Sequence, residues 1–108
     1  HVGDFAEDLL RWAQLGNRAP GAIAGIHHYG HSGVTSWFGF AAAIMRLRAP
    51  HVRVDPVPSE AFPTRAKRPS YSKLDERDYF DRLGSAPISW EVALERCLGA
   101  KFASTKAE

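Results

Sequence analysis

Ala22-Ile23-Ala24-Gly25-Ile26-His27-His28-Tyr29, then Trp37-Phe38-Gly39-Phe40-Ala41-Ala42-Ala43-Ile44-Met45-Arg46-Leu47-Arg48, then His51-Val52-Arg53-Val54-Asp55 is the run that decides the fold class. The first segment is short, apolar at its start and β-compatible, and it closes on the turn formers Gly30, His31, Ser32 and Gly33, so a strand is predicted there. The second places Trp37, Phe40, Ala41, Ile44, Met45 and Leu47 on one broad face, with Thr35 or Ser36 as cap and Pro50 as terminator, which predicts a helix. In the third, Val52 and Val54 alternate with polar neighbours at the period of a half-buried strand, ended by Pro56 and Pro58. Strand, helix, strand in this order predicts a right-handed βαβ unit with parallel strands.

Working outward, Phe5, Leu9, Trp12 and Ala13 recur at helical spacing between Asp4, the expected N-cap, and Gly16, the expected stop. Asn17 to Gly21, with Pro20 inside, reads as a loop. Residues 56–72 hold four of the seven prolines and are expected to be extended and irregular. A short helix over Asp75 to Leu83 should stop at Gly84. A last helix, capped by Ser89, carries Trp90, Ala93, Leu94, Cys97 and Leu98 on one stripe and should end near Gly99. The expected architecture is therefore mixed α/β: a small parallel two-stranded sheet with about four helices in one domain over residues 1–99, and a flexible tail over 100–108.

At 108 residues there is room for one small domain with a thin core, so help from missing polypeptide is expected. Apolar residues at 44% and charged residues at 24% are the balance of an ordinary globular chain. No apolar run approaches the roughly 20 residues of a membrane helix, and no membrane partner is expected. The formal charge of +2 points to no particular partner. Nucleic acid is not expected either, because a few basic residues without a groove-sized basic face give only weak, salt-sensitive attraction. The single Cys97 fits a reducing compartment, and a cytoplasmic location is expected. The amphipathic pattern starts at once at Val2 and Phe5, without the features of a signal peptide, as if the chain were internal to a longer one.

Arg65, Lys67 and Arg68 form the one local basic cluster, on the proline-stiffened stretch. A guanidinium held there suits bidentate contact with a diphosphate; a structural arginine pinning the loop is the alternative. His27, His28 and His31 invite a metal reading, but neighbouring strand residues face opposite sides, so ordinary strand positions are expected. The helix start at Thr35 and Ser36 has free amides that could hold an anion, although simple capping explains the same residues. Trp12, Trp37 and Trp90 read as core, and Cys97 as packing.

Five stretches, in order, resemble the last third of the dTDP-4-dehydrorhamnose reductases, a branch of the extended short-chain dehydrogenase/reductase superfamily. They are Val2-Gly3-Asp4-Phe5-Ala6, Gly25-Ile26-His27-His28-Tyr29 with Ser32-Gly33-Val34-Thr35-Ser36-Trp37, Val57 to Thr64, Arg68-Pro69-Ser70-Tyr71-Ser72-Lys73-Leu74-Asp75, and Trp90-Glu91-Val92-Ala93-Leu94. One departure is Thr64-Arg65-Ala66, where the family usually has a proline after the threonine.

The resemblance implies a C-terminal substrate-binding domain of an enzyme that reduces a dTDP-linked 4-keto-6-deoxy sugar with NADPH or NADH, in the route to rhamnose. It implies substrate-side roles for Arg68, Arg65 and Lys67. The family's chemistry needs a glycine-rich dinucleotide turn and a Tyr-x-x-x-Lys pair. Here Tyr29, Tyr71 and Tyr79 are followed four residues later by Gly33, Asp75 and Leu83. No cofactor is therefore expected on this chain alone, and the expected partners are a dTDP-linked deoxy sugar and a missing N-terminal dinucleotide-binding domain. Apolar helix faces that would pack on that domain also lead to an expectation of self-association. The alternative is a non-catalytic regulatory or interaction module of the same fold.

Overall fold

Trp12 and Tyr79, far apart in sequence, lie ring on ring in the computed structural model, with centroids 4.5 Å apart and planes 16° from parallel. The structure describes the backbone of residues 1–106 and the side chains of residues 1–99. It divides into two compact units, one built from His1–Gly33 with the chain from Leu74 onward, the other from Val34–Lys73.

The first unit holds three α-helices: α1 (Val2–Arg18), and two others named in order below, together with a 3₁₀ turn at Pro20–Ile23. α1 starts two residues ahead of the expected cap, so Asp4 falls in the first turn, where a carboxylate suits the positive end of the helix dipole. Its partner is Arg96, at 2.9 Å. Gly16 does not stop α1, which runs on to Arg18. Its bareness serves packing instead: a Cβ there would lie 2.5 Å from Ile23 Cδ1 of the 3₁₀ turn.

The second unit contributes α2 (Trp37–Arg48). Ser36 caps it, its Oγ accepting from the Gly39 amide at 3.0 Å, and Ala49 ends it ahead of Pro50. Ala43 is buried, whereas Trp37, expected in the core, is 89% exposed because it stands at the first helical position and not along the packed face. Val52 and Val54 line a shallow open cavity of about 220 Å³ with Ala42, Met45, Arg46 and Pro50. A short 3₁₀ turn at Ser59–Ala61 follows, and from Phe62 to Glu76 the chain has no helix or strand.

The first unit then resumes with α3 (Arg77–Leu83) and α4 (Trp90–Lys106). Gly84 ends α3 in the left-handed conformation at φ 75°, as its sequence position predicts. Ser89 Oγ accepts from the Val92 amide at 3.2 Å, the expected cap of α4. α4 continues past Gly99 to Lys106, so that glycine is not its end. Residues 107 and 108, the last of the expected tail, lie outside the described residues. The core here is Tyr79 and Phe80 of α3 with Ala93 and Leu94 of α4, all under a tenth exposed.

The expected two-stranded parallel sheet is not formed. Among the described residues there is no strand, only an isolated parallel bridge between Ser32 and Ser89, made by Ser32 N–H donating to Ile88 O (2.9 Å) and Trp90 N–H donating to Ser32 O (3.0 Å). Three local causes account for this. The first predicted strand is broken at its start by the Pro20–Ile23 turn and by Gly25 at φ 96°. Of its later residues, His27 and Tyr29 turn inward against α1 and α3, while Ile26 and His28 stay exposed. Val52, 45% exposed, and half-buried Val54 line an open cavity with α2 residues and belong to no strand, so their period of two reports no sheet here. The fold is therefore helical, not mixed α/β, over the described residues.

Candidate functional site

The loop from Phe62 to Glu76 is where the chain collects positive charge. Pro63 and Pro69 fix φ at two points and bias the residues before them toward extended backbone, which keeps the loop from coiling. Thr64 Oγ1 donates to Ala66 O at 2.7 Å and tightens one bend. Arg65, Lys67 and Arg68 all lie exposed on this loop, and among the described residues none makes a hydrogen bond or ion pair.

Among the described residues Arg18 and Arg46 are likewise exposed and unpaired, but each stands alone and not in a cluster, and several other cations are held by carboxylates. In the same unit Arg53 is held by Asp55 at 2.6 Å. In the first unit Arg77 grips Asp75 through Nε and Nη2, at 2.9 and 2.6 Å, and Arg82 binds both Asp78 (3.0 Å) and Ala22 O (2.8 Å). Among the described residues Arg68 meets no carbonyl or carboxylate that would pin the loop. Three cations within four residues, without a carboxylate to displace, can offer charge-assisted bonds to an anion, and Arg68 can do so bidentately.

The other residues singled out in the sequence are occupied by local structure. Ser36 Oγ takes up the Gly39 amide, so the start of α2 is capped by its own side chain. His27 has both ring nitrogens engaged, Nδ1 with Asp78 Oδ2 at 2.6 Å and Nε2 with Ala24 O at 2.8 Å. His28 is exposed, and His31 is half-buried, with its pKa lowered first by that burial. Among the described residues no three His, Cys, Asp or Glu side chains converge as metal ligands. Cys97 is half-buried on α4.

Sequence reasoning missed a polar hub in the first unit. Tyr29 donates to Asp8 Oδ2 and Tyr79 donates to Asp8 O, each at 3.0 Å. Burial, and then the hydrogen bond to Asp8, push the Tyr29 hydroxyl far above its ordinary pKa, and burial raises Tyr79 in the same direction. Such phenols stay protonated and structural. Phe5 meets Tyr29 edge-on at 4.9 Å, and Trp12 meets His27 edge-on at 4.8 Å. The signal was present: Asp8 falls on the helical stripe of Phe5 and Trp12, and a carboxylate on an apolar stripe demands donors.

The family model described as RmlD substrate binding domain matches residues 1–102. The chain is similar to the dTDP-4-dehydrorhamnose reductase of Mycobacterium tuberculosis (strain H37Rv), at 37% identity across 100% of the chain and 34% of the relative. It is similar to the enzyme of that name from Burkholderia thailandensis, at 36% identity across 75% of the chain and 30% of the relative. The spore coat polysaccharide biosynthesis protein SpsK of Bacillus subtilis is 35% identical across 91% of the chain and 32% of that protein. The chain thus spans about a third of the length of the curated relatives it matches. No solved structure matches it.

Proposed function

We propose that this chain, which belongs to the RmlD substrate binding domain family, is the part of a dTDP-sugar reductase that holds the nucleotide sugar, with Arg68 as the main diphosphate contact and Arg65 and Lys67 in support. The observation that carries this reading is the state of those three cations: exposed, close in sequence, and without a partner among the described residues. A diphosphate presents multiple acceptor oxygens and matches the bidentate fork of a guanidinium better than a point charge does.

Hydride and proton delivery are assigned to polypeptide beyond these 108 residues, because none of Tyr29, Tyr71 and Tyr79 is followed by lysine at the fourth position. NADPH or NADH would bind there and supply the hydride. The role of the present chain is to orient the sugar, which converts loose encounter into a fixed geometry for reduction. Calorimetric titration of the chain with dTDP and with NADPH tests the proposal. Weak dTDP binding with none for NADPH is expected; NADPH binding without dTDP binding would overturn it.

Val2, Leu9 and Leu10 of α1 are 79%, 47% and 67% exposed. Apolar surface of this kind on a small domain favours association, so self-association of the isolated chain belongs to the same proposal. Light scattering that found a monomer at high concentration would count against it.

A further inference from the structure

Ser70 stands two residues after Arg68 and three after Lys67, on the loop that has no helix or strand. We propose that Ser70 is a phosphoacceptor for a basophilic serine/threonine kinase, and that the phosphate, once attached, engages Arg68 and its basic neighbours. The consequence for ligand binding rests on the diphosphate reading above; the modification itself does not.

Three observations support the site. Ser70 is exposed and its hydroxyl has no partner among the described residues, so the nucleophilic oxygen is accessible without unfolding. Pro69 fixes its own φ and biases Arg68 to extended backbone, and the chain bends at Ser70 itself, presenting its hydroxyl at the turn of an irregular loop. Lys67 and Arg68 are unpaired, and so are free to meet the acidic side chains with which a basophilic kinase reads the residues two and three places ahead of its acceptor. Ser72 is exposed as well, but its cations fall four and five places ahead, out of that register.

In the transfer, Ser70 Oγ bonds to the γ-phosphorus of a nucleoside triphosphate as the bond from that phosphorus to the β–γ bridging oxygen breaks. The hydroxyl proton passes to the kinase's general base, and a nucleoside diphosphate leaves. The new group carries close to two negative charges at neutral pH. Arg68 lies two residues from the modified Ser70, near enough for its long guanidinium side chain to reach the phosphate. The phosphate then occupies the fork that a nucleotide diphosphate would use.

The chain is incubated with the catalytic subunit of cyclic-AMP-dependent protein kinase and ATP, and the phosphate is located by mass spectrometry. Incorporation at Ser70 is expected, abolished in Ser70→Ala, kept in Ser72→Ala, and slowed about ten-fold or more in a Lys67→Ala/Arg68→Ala double variant. Absence of phosphate on Ser70, or a rate indifferent to the double variant, overturns the assignment. The phosphorus-31 titration of the product reads the engagement: its second pKa should fall below the ordinary value of about 6 and return to it in Arg68→Ala; an ordinary value in both overturns that half. Calorimetry with dTDP separates this from the reading it leans on. Failure of the unmodified chain to bind dTDP sinks the diphosphate reading alone, whereas binding that is equally strong before and after phosphorylation sinks the competition.

Discussion

The hydroxyl of Tyr29 donates to Oδ2 of Asp8 at 3.0 Å, and so joins the segment after the first 3₁₀ turn to the inner face of α1. The same aspartate accepts from Tyr79 through its main-chain oxygen, so one residue gathers α1, the 26–31 segment and α3. Removing the hydroxyl in Tyr29→Phe deletes a bond to a charged acceptor and should lower stability by about 1.5–3 kcal/mol in denaturant titration. The change should leave dTDP binding intact, since Tyr29 lies in the other unit from the basic loop.

Alkali should weaken the same unit. The pKa of Tyr29 and Tyr79 is raised in the folded chain, for Tyr29 by burial first and for Tyr79 by burial first. A raised folded value means the contribution is fully present below the unfolded value of 10.0 and fades as pH climbs through the folded one. Ultraviolet tyrosinate absorbance should therefore rise in two stages, the later one coinciding with loss of tertiary structure by near-ultraviolet circular dichroism.

Acid should act through Asp78. Its pKa is lowered, first by the hydrogen bond from Arg82 and next by that from His27. A depressed carboxylate stabilises above its unfolded value and loses that contribution as pH falls through the folded value. Melting temperature followed downward from pH 6 should drop through the carboxylate range, and Asp78→Asn should flatten that drop.

Gly33 has φ 91°, and a Cβ placed on it would lie 3.0 Å from Trp90 Cδ1. Both the backbone and the ring exclude a side chain, so Gly33→Ala should cost about 1–3 kcal/mol. Thermal unfolding monitored by tryptophan fluorescence would show it, and an unchanged midpoint would mean that the bridge beside Trp90 adds nothing.

Arg68→Ala should weaken dTDP binding about ten-fold, or ~1.4 kcal/mol, with stability unchanged to within ~0.5 kcal/mol because the side chain is exposed. Arg68→Lys should recover only part of the loss, since a point charge cannot reproduce a bidentate fork. In the full-length enzyme the effect should fall on KM more than on kcat.

Helices were legible in the sequence because their signals are local. The stripe of α4, the serine caps at Ser36 and Ser89, and the left-handed stop at Gly84 each depend on a few neighbouring residues. The sheet was not legible. Val52 and Val54 show the period of a half-buried strand, but nothing in their spacing says that what lies beside them is a helix. Gly25 and Ile26 looked β-compatible, yet Gly25 is kinked and Ile26 is 89% exposed. The basic loop was legible as a prolyl, cationic stretch, while the Asp8 hub was legible only as a carboxylate on an apolar stripe that needs donors, its actual donors hidden by their separation in sequence.

The first unit is assembled from two stretches of chain with Val34–Lys73 between them. A ribosome releasing this polypeptide delivers Trp12 and Tyr29 some fifty residues or more before Tyr79 and Phe80, so the packing of α1 and the segment after it onto α3 must wait for that later stretch. Lengthening the intervening stretch would penalise that late closure only slightly, about 0.6 kcal/mol per doubling. The length of the Val34–Lys73 stretch could therefore change at little cost to the closing of the first unit around it in sequence.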